Sequence, residues 1–238
     1  VIRAPDGHNR GGGIYFLTDP LPDASPHRRH TIIQCPHARS DVYTGKLGLA
    51  LFQLGGFDAF FSSSMRRNTA TQASGTPIPD VEDPMTESSS IEDISPADPA
   101  HNRFSFFQIA HETWMRRHPA TLVIQLHGFA ESNVVDDRQF DLILSGGKPP
   151  MDPDMFFLES ARRLTVCLPG YRVGLFGKDT PLFGAQSNVQ GRYIHRYTAG
   201  TFWHLEMNRR FRDALMKNNA LRSLFFTCIQ EIAATYEM

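Results

Sequence analysis

Short apolar runs recur along the chain and stop abruptly at Pro, Gly or a polar residue. Thr31–Cys35 (TIIQC), Phe57–Ser64 (FDAFFSSS), Thr121–Leu126 (TLVIQL), Leu164–Leu168 and Thr201–Met207 (TFWHLEM) have the length and the aromatic or β-branched content of core strands. Ile14–Thr18 and Phe140–Leu144 are shorter strand signals. Between them lie helix-length segments. One opens at Ser40 or Asp41 as cap and carries Leu47, Leu49, Leu51 and Leu54, although Gly45 and Gly48 weaken it. Others cover Phe104–His118, Pro153–Arg163 with Asp152 as cap, and the spans 208–219 and 221–236. Gly170–Gly191 reads as a long glycine-rich loop. Strands alternating with helices predict an α/β fold, a three-layer sandwich with a mostly parallel central sheet and helices on both faces.

Residues 69–102 contain no Lys or Arg, seven acids and many Ser and Pro. They read as a surface loop inserted into one domain that spans 1–238. With 41% hydrophobic and 21% charged residues the chain can build a core. Its net charge of −1 carries no nucleic-acid signal. No apolar run approaches the ~18 residues of a membrane span. The expectation is a soluble protein without a nucleic-acid partner, either cytoplasmic or periplasmic/secreted after signal removal. Cys35, Cys167 and Cys228 form no CxxC; Cys35 and Cys167 fall in strand-like runs and read as buried free thiols.

Three polar residues stand at predicted strand ends: His37 just past TIIQC, His127 at the end of TLVIQL, and Glu206 inside TFWHLEM. Open α/β sheets place their sites at the carboxyl ends of strands, so the three could meet. Two chemistries compete for His127-Gly128. A serine hydrolase uses such a pair in its oxyanion loop but needs a G-x-S-x-G elbow, which is absent; LILSGG around Ser145 has Ile143 in place of the first glycine. A catalytic zinc takes three His or carboxylate ligands and leaves a position for water. His37, Asp41 and His127 supply that set for Zn2+, with Glu206 as general base. Alternation along TFWHLEM puts His204 and Glu206 on one face, away from Trp203, Leu205 and Met207. A non-catalytic small-ligand-binding protein is the alternative from another class.

PHARSD, QLHGF and FWHLEMN, in that order, resemble the zinc carboxypeptidase-like superfamily, especially its N-formylglutamate amidohydrolase and poly-γ-glutamate hydrolase branches. The resemblance implies a phosphorylase/hydrolase-like fold, a zinc-dependent amidohydrolase or metallopeptidase-like activity, and a small-molecule or peptide substrate bearing a carboxylate. This chain departs from the His-x-x-Glu spacing of classical carboxypeptidases, because His37 and Asp41 are four apart. Glu131 and His204 stand as replacements for Asp41. An arginine suits a forked grip on the substrate carboxylate: Arg66 after the second core strand, or Arg192 near the last, with Asn188 as a nearby donor. Asp98-Pro-Ala-His101 reads first as a helix-entry turn and second as a source of site contacts. His111 and His118 read as surface or packing residues.

Overall fold

The structure is a computed structural model that describes residues 12–18, 29–67, 97–130, 140–149 and 154–236. Its elements are β1 (Gly13–Leu17), β2 (Thr31–Cys35), α1 (Thr44–Gln53), β3 (Ala59–Ser63), α2 (Phe106–Arg117), β4 (Leu122–Phe129), β5 (Leu142–Ser145), α3 (Met155–Cys167), β6 (Val173–Leu175), α4 (Val189–Tyr197), β7 (Thr201–Asn208), α5 (Arg209–Lys217) and α6 (Asn219–Tyr236). The strands form one sheet in the order β1-β3-β2-β4-β7-β5-β6. The neighbours β3, β2, β4 and β7 run parallel. β1 is antiparallel to β3, and β5 is antiparallel to β7 while pairing parallel with β6. The expected α/β architecture is present, with a mostly parallel mixed sheet.

Side-chain alternation divides the sheet into two unlike faces. Ile33, Cys35, Leu122, Ile124, Leu126, Trp203, Leu205 and Met207 pack in one core with Leu47 and Leu51 of α1, Leu164 of α3, Phe211 of α5 and Ile229 of α6. The opposite face contributes Ile32, Phe61, Val123 and Phe202 to a smaller core with Phe107 and Met115 of α2 and Ile194 of α4. Toward the carboxyl ends of β4 and β7 this second face turns polar, with Gln125 and His127 beside His204 and Glu206. The large core anchors the sheet; the smaller face carries the polar cluster.

α1 explains its own glycines. A Cβ on Gly48 would stand 2.4 Å from Cys35 Sγ, so the helix reaches the sheet only without a side chain there. It begins at Thr44, and Asp41 does not cap it through its side chain. α3 opens after Asp154, whose side chain accepts the Phe156 N–H; the expected cap, Asp152, lies outside the described residues.

Three expectations are overturned. Leu164–Leu168 is not a strand, because α3 runs through Cys167 with Ser160 and Leu164 buried at helical spacing. Cys167 is not a free thiol: it is bonded to Cys228 and ties α3 to α6, leaving Cys35 as the buried free cysteine. Finally, residues 170–191 are not one loop, since β6 and the start of α4 lie within them. The insertion expected at 69–102 falls outside the described residues up to position 96; 97–102 form turns ahead of α2. No helix among the described residues is long and apolar enough to cross a membrane.

Candidate metal centre

β2 ends at Cys35, and the chain folds into a tight turn before α1. His37 O accepts from Ser40 N at 2.9 Å and Asp41 N at 2.7 Å. Tyr43, at φ 78°, reverses the backbone into the helix. The turn buries His37 and Asp41 side by side, 2% and 3% exposed. Two strands supply the rest. Parallel pairing of β4 with β7 sets His127 opposite Glu206, and Gln125 opposite His204.

His37 Nδ1 lies 3.4 Å from Asp41 Oδ2, and His127 Nδ1 lies 3.6 Å from the same oxygen. One donor atom from each residue falls within 4.8 Å of the other two. Tetrahedral zinc ligands at about 2.0–2.2 Å are about 3.3–3.6 Å apart, which matches the two His–Asp distances. His37 Nδ1 is buried and has no hydrogen-bond partner. An imidazole nitrogen without a hydrogen bond, facing a carboxylate and a second imidazole, is compatible with Zn2+.

Each of the three side chains is braced from behind. His37 Nε2 is 2.8 Å from Asp98 Oδ1, whose other oxygen lies 3.1 Å from His101 Nδ1. His127 Nε2 is 2.7 Å from Gln125 Oε1. Asp41 Oδ2 accepts the Gly128 N–H at 3.0 Å. Arg212 lies beneath: its guanidinium donates to the carbonyls of Val42, Met207, Asn208 and Phe129, joining the His37 turn to the ends of β4 and β7. A Cβ on Gly128 would stand 2.4 Å from Arg212 Cζ, so a side chain there would displace the guanidinium.

The electrostatics follow from burial and proximity. Burial would raise Asp41, but His127 and His37 outweigh it and hold its carboxyl below the usual range. Asp98 is likewise held down, by His101 and His37 against the effect of burial. Burial opposes charge on His37, yet Asp41 and Asp98 carry it up to about 9. Coordination would reverse that direction, because a metal-bound nitrogen carries no proton. Burial takes His127 down to about 4 and His204 well down. Glu206 is pushed up to about 8, first by burial and then by Asp41. Its Oε2 is buried without a partner, and Oε1 is 3.6 Å from His204 Nε2.

His37, Asp41, His127, His204 and Glu206 thus come together, while Glu131 lies outside the described residues. Arg66 is exposed after β3; the adjacent Arg67 places Nη1 3.9 Å from Asp41 Oδ1. Arg192 is in the first turn of α4, with Nε on Gln186 O. Asn188 caps α4 by accepting from Gly191 N and donates to Gln125, behind His127. Asp98 is both the expected turn and a site contact; its approach to His37 spans 61 residues, which local pattern does not reveal. Gln125 carried one sequence signal, an amide two residues before His127 on the same strand face. Ser145 Oγ lies 3.1 Å from His204 Nδ1, completing a serine–histidine–glutamate chain, but it sits within β5 at 1% exposure.

No family model matches the sequence, and no curated protein matches it. Solved structures match the fold. A bacteriophage poly-γ-glutamate hydrolase aligns over 94% of this chain and 89% of its own, at TM-score 0.53 and 15% identity. An N-formylglutamate amidohydrolase from Ralstonia eutropha JMP134 aligns over 93% and 98%, at TM-score 0.55 and 13% identity. A metallo-carboxypeptidase from Burkholderia cenocepacia aligns over 94% of this chain but 61% of its own length, at TM-score 0.50 and 12% identity. The chain therefore has the fold found in these amidohydrolase and carboxypeptidase structures.

Proposed function

We propose that the protein is a zinc-dependent hydrolase of an amide or peptide bond in a carboxylate-bearing substrate. The observation that carries this reading is the convergence of His37 Nδ1 and His127 Nδ1 on Asp41 Oδ2, with Glu206 in register beside His127. His37, Asp41 and His127 would hold the ion, which when bound lowers the pKa of water and polarises a carbonyl. Glu206 takes a proton from the attacking water and returns it to the leaving nitrogen. Burial and Asp41 raise its proton affinity to about 8 in the metal-free site, and a bound cation would draw it down toward neutrality, where a general base works best. His204 steadies Oε1 from the same strand face. A guanidinium grips the substrate carboxylate; Arg67, on the rim beside Asp41, joins Arg66 and Arg192 for that role. Asn188 acts from behind the site, through Gln125. The fold shared with two enzymes named for glutamate-containing substrates supports the substrate class.

The test is metal analysis with a substrate panel. Purified protein loaded with Zn2+ and desalted should retain the ion, and His127→Ala should lose it while keeping its fold. Hydrolysis of N-formylglutamate, poly-γ-glutamate or short acidic peptides should follow metal content. Wild type that holds no stoichiometric metal under any loading condition would refute the reading.

A further inference from the structure

Behind His127 lies a buried network of side-chain amides whose orientation is fixed by the backbone at both ends. At one end the Gly191 N–H donates to Asn188 Oδ1 at 3.0 Å. Asn188 must therefore turn Nδ2 toward Gln125, and it donates to Gln125 Oε1 at 2.6 Å. At the other end the carbonyl of Pro99 can only accept. It takes a hydrogen bond from Gln190 Nε2 at 2.8 Å, which turns Gln190 Oε1 toward Gln125 Nε2, 3.2 Å away. Gln125 Nε2 gives its second hydrogen to Gln34 Oε1 at 3.0 Å. Gln34 Nε2 in turn faces His111 Nδ1 at 3.0 Å.

Each amide thus has one permitted orientation, and Gln125 Oε1 must be the atom that faces His127 Nε2 at 2.7 Å. An oxygen there requires a hydrogen on Nε2. The neutral ring then keeps its lone pair on Nδ1, the nitrogen that converges with His37 on Asp41, whose Oδ2 at 3.6 Å stands outside hydrogen-bond reach. A flipped Gln125 would offer an N–H to Nε2, move the ring hydrogen to Nδ1 and block the metal side.

We infer that Gln125 is a positioning residue that selects the Nε2–H tautomer of His127 and so presents Nδ1 as a metal donor. The inference rests on the zinc reading above but goes beyond it, because it assigns the readiness of the site to a strand residue that touches neither metal nor substrate. Gln125, Gln34 and Gln190 are each fully buried, so water does not compete for these bonds. The three come from β4, β2 and α4, which makes the tautomer a product of the assembled fold.

The experiment reads the ring directly. In metal-free wild type at neutral pH, a long-range 1H–15N correlation spectrum should show a protonated Nε2 and a bare Nδ1 for His127, identified by its loss in His127→Gln. The reverse pattern overturns the inference, whatever any variant does. Zinc affinity gives a second readout. Gln125→Met keeps the side-chain volume and removes the acceptor; it should weaken zinc binding about 10–100-fold. Gln125→Glu restores an acceptor and should bind at least ten times more tightly than Gln125→Met. Equal affinity in wild type and Gln125→Met overturns the positioning role while leaving the metal site standing. Wild type that takes up no zinc overturns the site and this inference with it.

Discussion

His127 and Glu206 stand directly opposite each other on the parallel strands β4 and β7, and both point to the face covered by α2 and α4. The pairing matters because parallel register is rigid: a slip of one residue would turn either side chain to the other face of the sheet. It places an imidazole and a carboxylate on adjacent strands without a loop in between. Glu206→Gln preserves shape and removes the proton acceptor. It should retain zinc at wild-type stoichiometry while turnover falls about 10²–10⁴-fold. Metal content and rate measured on one preparation check this, and loss of both together would make Glu206 a ligand.

The strands that deliver these residues were legible because burial on both faces leaves long apolar runs, and His37, His127 and Glu206 interrupt those runs at their carboxyl ends. The same reasoning failed at 189–197. VQGRYIHRY is largely polar, and its helix depends on the Asn188 cap and on packing of Ile194 beneath Phe202 rather than on an apolar stripe. Asp98 was singled out as a turn residue, and no local signal pairs it with His37, because the contact exists only once the chain has folded back.

Gly128 tests the clamp under the site. Its missing Cβ is what allows the Arg212 guanidinium to reach four carbonyls, and its N–H holds Asp41 Oδ2. Gly128→Ala should destabilise the protein by about 1–3 kcal/mol through overpacking and weaken zinc retention as Asp41 shifts. Denaturant melts of metal-free protein separate the first effect, and zinc titration the second. A variant as stable and as tightly metal-binding as wild type would show that Arg212 yields freely.

The Cys167–Cys228 bond is directly countable. Alkylation of the unfolded chain without reductant should label one of the three cysteines, and all three after reduction. Reduction opens no other disulfide among the described residues, so the lost stability, about 2–4 kcal/mol, should equal that of Cys167→Ser. Three labels before reduction would remove the bond from the native protein.

Ser145, His204 and Glu206 lie in the order of a nucleophilic triad, yet the serine is sealed in β5. A fluorophosphonate probe should therefore leave Ser145 unmodified, and Ser145→Ala should lose far less turnover than Glu206→Gln. Mass-spectrometric detection of a Ser145 adduct would favour serine chemistry over the proposed zinc reading.

His111 offers a pH test away from His37, Asp41 and His127. Its ring is fully buried between Gln34 and Tyr193, and burial lowers it to about 3 from 6.5. Between those values the unfolded chain binds a proton that the folded chain refuses. Its contribution to stability is complete above about pH 6.5 and is lost as pH falls toward 3, at up to about 1.4 kcal/mol per pH unit. His111→Asn keeps an acceptor near the position of Nδ1 and removes the titrating group. It should be less stable than wild type at pH 7, since it leaves a small void, but its stability should fall less steeply between pH 6 and 4. Urea melts with a chelator present, so that metal release adds no slope of its own, measure both. His127 and His204 titrate in both proteins, so the difference in slope reports on His111, and parallel slopes would mean that its ring takes a proton within the fold.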